Sequence, residues 1–394
     1  METKDRSAIG YETFVNYEGF DMFKIACQEG GRATSMNLAR NGFKELPWSR
    51  GESAYVMETP WEGKYLAHVE EGLGTKNVPA DRMAEAVAEA MVQQRILKII
   101  EKLAGRSFFK EVSQCNVAMV INDLITSGAS PLSFLLHLAV ANADWFENKQ
   151  RWQDVIEGTM LACNIAGCSW GGGETPVLRN VIVPLSCLLS GSAVGFIGST
   201  KRLINPVNIQ DGDAIIMFGS SGPHANGYTM LWDVITPRLS EGYLTEIPGD
   251  GRTFGEAILA PTFIYSQLVQ VCLDAGVSIH YAVNITGHGW CKLMRAVQPF
   301  RYVIDKLPRQ QPLFDLIHEV NPIGLKKMFR TFNMGGGFAI YVSQEDVKAV
   351  LTATEILDPA IKVFVAGHIE KGSEKRVIIE PNGVEFGPED LVIR

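Results

Sequence analysis

A mixed α/β (α+β) architecture in two domains is what this sequence predicts, and three observations carry the expectation. The chain has 394 residues, more than a single core of ordinary size organises. A polar stretch at Thr200–Gly212 holds Pro206 and runs into the turn signal Asp211-Gly212-Asp213. Beyond it, strand-like and helix-like runs alternate, as they do in layered α/β folds. The expected domains are residues 1–204 and 205–394.

The first fifty residues read as irregular, because Gly30-Gly31, Gly42 and Pro47 interrupt any period. Strand-like runs follow at Ser53–Glu58 and Lys64–Val69, parted by Pro60 and Gly63. Asp81–Leu103 has no interior Gly or Pro and is rich in good helix formers, so one long helix is expected. Val117–Leu124 and Ser133–Ala141 are apolar, split by Gly128 and Pro131. Trp152, Val155, Ile156, Met160 and Leu161 share one face of a helix over about Lys149–Ala166. Val181–Ile197 supplies strand material. After the break, strands are expected at Ala214–Phe218, Arg301–Ile304, Phe338–Val342, Val363–His368 and Arg376–Ile379. Helices are expected at Tyr228–Val234, Pro261–Ala275, Leu313–Glu319 and Gln344–Ala353.

The formal net charge is −8, with no long basic run, which argues against nonspecific nucleic-acid binding. No run of 18 apolar residues suggests a membrane span, and the polar start MetGluThrLysAspArg has no secretory apolar core. The seven cysteines are scattered, odd in number and without a CxxC pair. Reduced core cysteines and a cytoplasmic location are the expectation.

Five runs point to chemistry. Gly219-Ser220-Ser221-Gly222-Pro223-His224-Ala225-Asn226-Gly227-Tyr228 joins a strand to a helix. Such a turn presents backbone N–H groups to a phosphate, although an ordinary strand–helix connection uses the same residues. Glu70-Glu71-Gly72-Leu73-Gly74-Thr75-Lys76 offers carboxylates for Mg²⁺ and a lysine and hydroxyl for phosphate; a solvated hairpin end looks the same. Asn122-Asp123 closes an apolar run and suits either a hard cation or a helix cap. In Trp170-Gly171-Gly172-Gly173-Glu174-Thr175, three glycines suggest close backbone approach to a ligand, with Glu174 placed for a metal or a ribose. Asn284-Ile285-Thr286-Gly287-His288-Gly289 sets a histidine between glycines. No Ser-His-Asp order, zinc-type spacing or GxGxxG accompanies them. Charged groups beside glycine turns fit phosphoryl chemistry run by positioning and Mg²⁺.

Read in order, these runs resemble one family, aminoimidazole ribonucleotide synthetase (phosphoribosylformylglycinamidine cyclo-ligase), from about Glu70 to about Gln344. Glu71–Lys76 resembles its Asp-Gly-Val-Gly-Thr-Lys, and Val117–Leu132 its VAMxVNDLxxxGAEPL. Gly172–Thr175 matches GGET, Gly219–Tyr228 is similar to GSSGPHSNGY, and Ala260–Tyr265 to APTxIY. Thr331-Phe332-Asn333-Met334-Gly335 matches TFNMG. The resemblance implies two domains, with N-terminal strands of two subunits sharing a barrel in a homodimer and a C-terminal α/β sandwich. It implies ATP and Mg²⁺ as cofactors, the metal on Glu71, Asn122 and Asp123. Gly72, Gly74, Thr75, Lys76, Gly172, Gly173, Glu174, Thr175, Ser220, Ser221, Gly222, His224 and Asn226 would hold the nucleotide or a phosphate. Lys76, His224 and His288 would serve catalysis on a phosphoribosyl amidine. Glu71 replaces the family's Asp, Cys115 aligns with another Asp, and Asn284 and His288 depart from its His-Ile-Thr-Gly-Gly-Gly run. A paralogue acting on another amide or phosphate acceptor, and an inactive nucleotide-binding protein, are the alternatives.

Overall fold

The computed structural model describes residues 8–14, 17–355 and 357–391. Helix α1 (Tyr17–Thr34) opens the chain, followed by strands β1 (Lys44–Glu45), β2 (Tyr55–Glu58) and β3 (Tyr65–Gly72). Helices α2 (Asn77–Val92), α3 (Leu97–Leu103) and α4 (Phe109–Leu124) precede strand β4 (Ser130–Val140), helix α5 (Lys149–Ala166) and strands β5 (Ser169–Glu174) and β6 (Cys187–Ile197). These six strands form one open sheet in the order β1-β2-β3-β6-β4-β5. Every pairing is antiparallel except β4 with β5.

The second half contributes β7 (Ala214–Gly219), α6 (Tyr228–Met230), α7 (Phe254–Ile258), α8 (Ser266–Asp274), β8 (Ile279–Asn284) and β9 (Phe300–Ile304). Then come α9 (Pro312–Val320), α10 (Leu325–Thr331), β10 (Gly336–Val342), α11 (Val347–Thr354), β11 (Val363–Lys371), β12 (Arg376–Ile379) and β13 (Val384–Phe386). Its seven strands run β13-β12-β9-β11-β7-β10-β8, with only β9 and β12 parallel.

Helix α4 is the spine of the first half. From Cys115 to Leu124 every residue is buried, and the helix packs on β3, β6 and α5. Each fully buried Val, Ile or Leu there contributes about 1.5–3 kcal/mol. Of its polar members, Asn116 donates through Nδ2 to the Ser190 carbonyl at 3.0 Å. That rigid packing fixes Asp123 at the last turn, beside the end of β3.

Several sequence expectations are corrected. The first fifty residues hold an 18-residue helix, α1, which runs through Gly30-Gly31 at a cost of about 1 kcal/mol per glycine. The helix expected over Asp81–Leu103 is two helices, broken where Gln94 and Ile96 take positive φ. Gly171–Gly173 lies not in a loop but in β5, an edge strand. A Cβ at Gly173 would stand 1.9 Å from the Leu136 carbonyl oxygen, so close pairing with β4 explains that glycine. The helix expected from Pro261 begins at Ser266, because the backbone before it is tied to α4. Strand β8, unforeseen in the sequence, supplies Asn284.

Candidate active site

A cleft of about 640 Å³ lies between the two halves. One wall is the end of β3 and the turn after it, with Glu71, Gly72, Gly74 and Thr75; Asp123 of α4 stands beside them. The opposite wall comes from Ala225–Thr229, Thr286–His288, Lys292 and Arg295. Tyr11 and, on α1, Lys24, Cys27 and Gln28 close a third side.

Glu71 and Asp123 both line the cleft, close enough for their charges to act on each other. Burial, and then the neighbouring Asp123 charge, push the Glu71 carboxyl up to about 7. Asn284 Nδ2 donates to Asp123 Oδ1 at 2.7 Å, tying the sheet of the second half to the acid pair. Lys292 is half-buried at the cleft wall and donates to the Thr286 hydroxyl. Burial lowers its pKa, while the charges of Asp123 and Glu71 draw it back up. His288 also lines the cleft; burial and then the nearby cations, Lys292 first among them, bring its imidazole down to about 4. Arg295 is a strut, donating to Ser53 Oγ at 2.7 Å and the Gly51 carbonyl at 2.9 Å. Asn226 Nδ2 is buried at the cleft wall without a hydrogen-bond partner among the described residues.

Other predicted residues lie elsewhere. Lys76 is fully buried behind the cleft, where Nζ donates to the carbonyls of His224 at 2.5 Å and Ala260 at 2.8 Å. Burial lowers its pKa. It clamps the His224 turn to the loop before α8 instead of reaching into the cavity. His224 is itself buried, at φ +59, with its pKa taken down to about 3 by burial and then by the Lys76 charge. Ser220 Oγ donates to Asn333 Oδ1 at 3.0 Å, and Ser221 Oγ to the Pro261 carbonyl at 2.7 Å. The Gly222 carbonyl accepts from Asn333 Nδ2 at 2.8 Å. The first part of the Gly219–Tyr228 turn is therefore spent on the fold, and only its last part, from Ala225, faces the cleft. Asn122 is corrected as a metal ligand: Nδ2 donates to the Phe263 carbonyl at 2.8 Å and Oδ1 accepts from the Tyr265 amide at 2.9 Å. Gly172, Gly173 and Glu174, with Thr175 just after them, lie at the open edge of the first sheet, outside the cleft.

Lys24, Lys292 and Arg295 were not singled out from the sequence. The last two had a signal: residues 288, 292 and 295 follow the one-face spacing of a helix directly after a glycine turn. Among the described residues no three His, Cys, Asp or Glu side chains gather as a closed metal cage. A Mg²⁺ ion does not need one, since it retains water and takes one or two carboxylates plus phosphate oxygens. Two neighbouring carboxylates, one of them with its pKa pushed up to about 7 by burial and by the other's charge, form a donor set that a cation would relieve. Glu71 and Asp123 fit that ion.

Fold and cleft together define a two-sheet α+β protein with an acidic pair facing cations across an interdomain cavity. Residues 98–197 and 210–380 match the N-terminal and C-terminal domains of the AIR synthase related proteins. The chain is 32% identical to a phosphoribosylformylglycinamidine cyclo-ligase of Pyrococcus furiosus, covering 82% of this chain and 84% of the relative. It is 35% identical to the Desulfitobacterium hafniense cyclo-ligase, over 67% of this chain and 75% of that one. In fold it is similar to a chain of the HypE–HypF complex, with a TM-score of 0.56 at 12% identity, covering 86% and 94% of the two chains. This chain belongs to the AIR synthase related family.

Proposed function

We propose that this protein is an ATP-dependent cyclo-ligase that converts formylglycinamidine ribonucleotide to aminoimidazole ribonucleotide. The observation that carries this reading is the meeting of Glu71–Asp123 with Lys292 in one cleft, in a chain similar to named cyclo-ligases. The amide oxygen of the substrate takes the γ-phosphoryl group, and the bond to the ADP oxygen breaks. An amidine nitrogen then attacks the activated carbon; the ring C–N bond forms and phosphate leaves with the former amide oxygen. Catalysis of this kind is mostly positioning and charge stabilisation.

Glu71 and Asp123 would hold Mg²⁺, which when bound neutralises phosphate charge. Lys24 and Lys292 supply cations on the other walls, and the unpartnered Asn226 amide offers a donor. Lys76 acts at a distance, by fixing the turn that presents Asn226. A homodimer, in which the first sheet of each protomer closes against its partner's, accounts for the exposed Leu132, Leu135 and Leu188 on strands β4 and β6. It would also give the Gly172–Thr175 edge a neighbouring molecule. The cytoplasm suits such a role, and among the described residues no helix is long and apolar enough to cross a membrane.

A second reading, activation of a different amide by ATP, is favoured by one observation: His288 occupies the cleft wall within the glycine turn. One assay separates them. Purified protein, ATP, Mg²⁺ and formylglycinamidine ribonucleotide should yield aminoimidazole product and ADP in equal amounts. ADP without that product, on adding another acceptor, supports the second reading. Asp123→Asn should lower turnover by about a hundredfold or more with Mn²⁺ binding weakened in parallel; full activity removes the metal role.

A further inference from the structure

His288 stands at φ +68, a left-handed backbone conformation that strains a non-glycine residue. The turn leaves it no choice. Gly289 N donates to the Thr286 carbonyl at 2.8 Å, and a Cβ on Gly289 would meet the Phe329 carbonyl oxygen at 2.0 Å. The path of the backbone through 286–289 is thus set by its surroundings, and a glycine at 288 would follow it without strain. The imidazole is instead kept, and it lines the cleft beside Thr286, Gly287 and Lys292.

We infer that His288 is a specificity-determining residue, which contacts an uncharged hydrogen-bonding group of a phosphoribosyl substrate. This rests on the functional reading above. Two features give the contact its chemistry. Lys292, Lys24, Arg330 and Arg295 all act on His288 electrostatically, so this end of the cleft favours an anionic substrate. Burial first, and then the same cations, keep the imidazole neutral at pH 7. A neutral imidazole donates one hydrogen bond and accepts another, which suits a hydroxyl or an amide of the substrate. The carboxylate pair, with the β3 end, is left for the nucleotide.

The test uses full-length wild type, His288→Gly and His288→Asn, and three readouts: melting temperature, and calorimetric affinity for a non-hydrolysable ATP analogue with Mg²⁺ and for ribose 5-phosphate. His288→Gly should melt no lower than wild type, because it relieves the turn. Its affinity for ribose 5-phosphate should fall about tenfold, with nucleotide affinity changed less than twofold. His288→Asn, which tolerates the left-handed region and offers an amide, should recover part of the loss. Unchanged ribose 5-phosphate affinity in His288→Gly, no binding of it by wild type, or an equal loss of nucleotide affinity would each overturn the inference. Wild-type binding of ribose 5-phosphate without cyclisation of formylglycinamidine ribonucleotide would sink the cyclo-ligase reading and leave His288 in its role.

Discussion

His224 shows how a residue in a strongly suggestive motif can serve the fold. Its imidazole is buried against Tyr265, at 6.2 Å between ring centroids, and its carbonyl holds Lys76. The folded pKa is about 3, below the usual histidine value of 6.5. The unfolded chain therefore takes up a proton below about 6.5 that the folded protein refuses, and stability is lost as pH falls through that window. Between about pH 7 and about pH 5 this one group should cost about 2 kcal/mol. Chemical denaturation at the two pH values should show that loss in wild type and a smaller loss in His224→Asn; equal losses would mean that the ring titrates normally. Lys76 teaches the same lesson. Its place in a Gly-x-Gly-Thr-Lys run suggests a phosphate contact, yet its ammonium meets two backbone carbonyls. Sequence carries residue type and spacing, but not the direction in which a side chain leaves the backbone.

Elements with a strong period were legible and those decided by neighbours were not. Helix α5 was readable to its ends, since Gly167 takes the left-handed C-cap that its sequence announces. Strand β5 was not, because three glycines carry no alternation; its pairing is enforced by β4, against which Gly171 and Gly173 are pressed. Gly173→Val should consequently destabilise the protein by about 2 kcal/mol or more, read as a lowered midpoint in urea. An unshifted midpoint would mean that β5 is free to move away from β4. Helix α1 was missed because its glycines mask a run of otherwise good helix formers, and with it Lys24 was missed as a cleft residue.

At the scale of the molecule, the division of the chain near residue 200 was visible as a polar, proline-containing break, and the strands of the first sheet end at Ile197 while those of the second begin at Ala214. What no local pattern could give is the meeting of the halves, since Asp123 and Asn284, or Lys76 and His224, are joined across 161 and 148 residues. The exposed leucines of the first sheet are what the proposed homodimer would cover. Leu135 is 44% exposed and Leu132 48%, and large apolar side chains left open on a sheet suit the proposed contact between molecules. Sedimentation velocity should find wild type as a dimer and Leu135→Asp largely as a monomer. A monomeric wild type would remove the shared-sheet arrangement.

The long-range bond from Asn284 to Asp123 has a consequence for biogenesis. While the ribosome has released only the first half, the acid pair has no opposing wall, and nothing can be gripped or activated there. Competence to spend a nucleotide would arrive only once the residues from Ala225 to Arg295 have been made and folded against the first half, so a product stalled before them lacks one wall of the cleft.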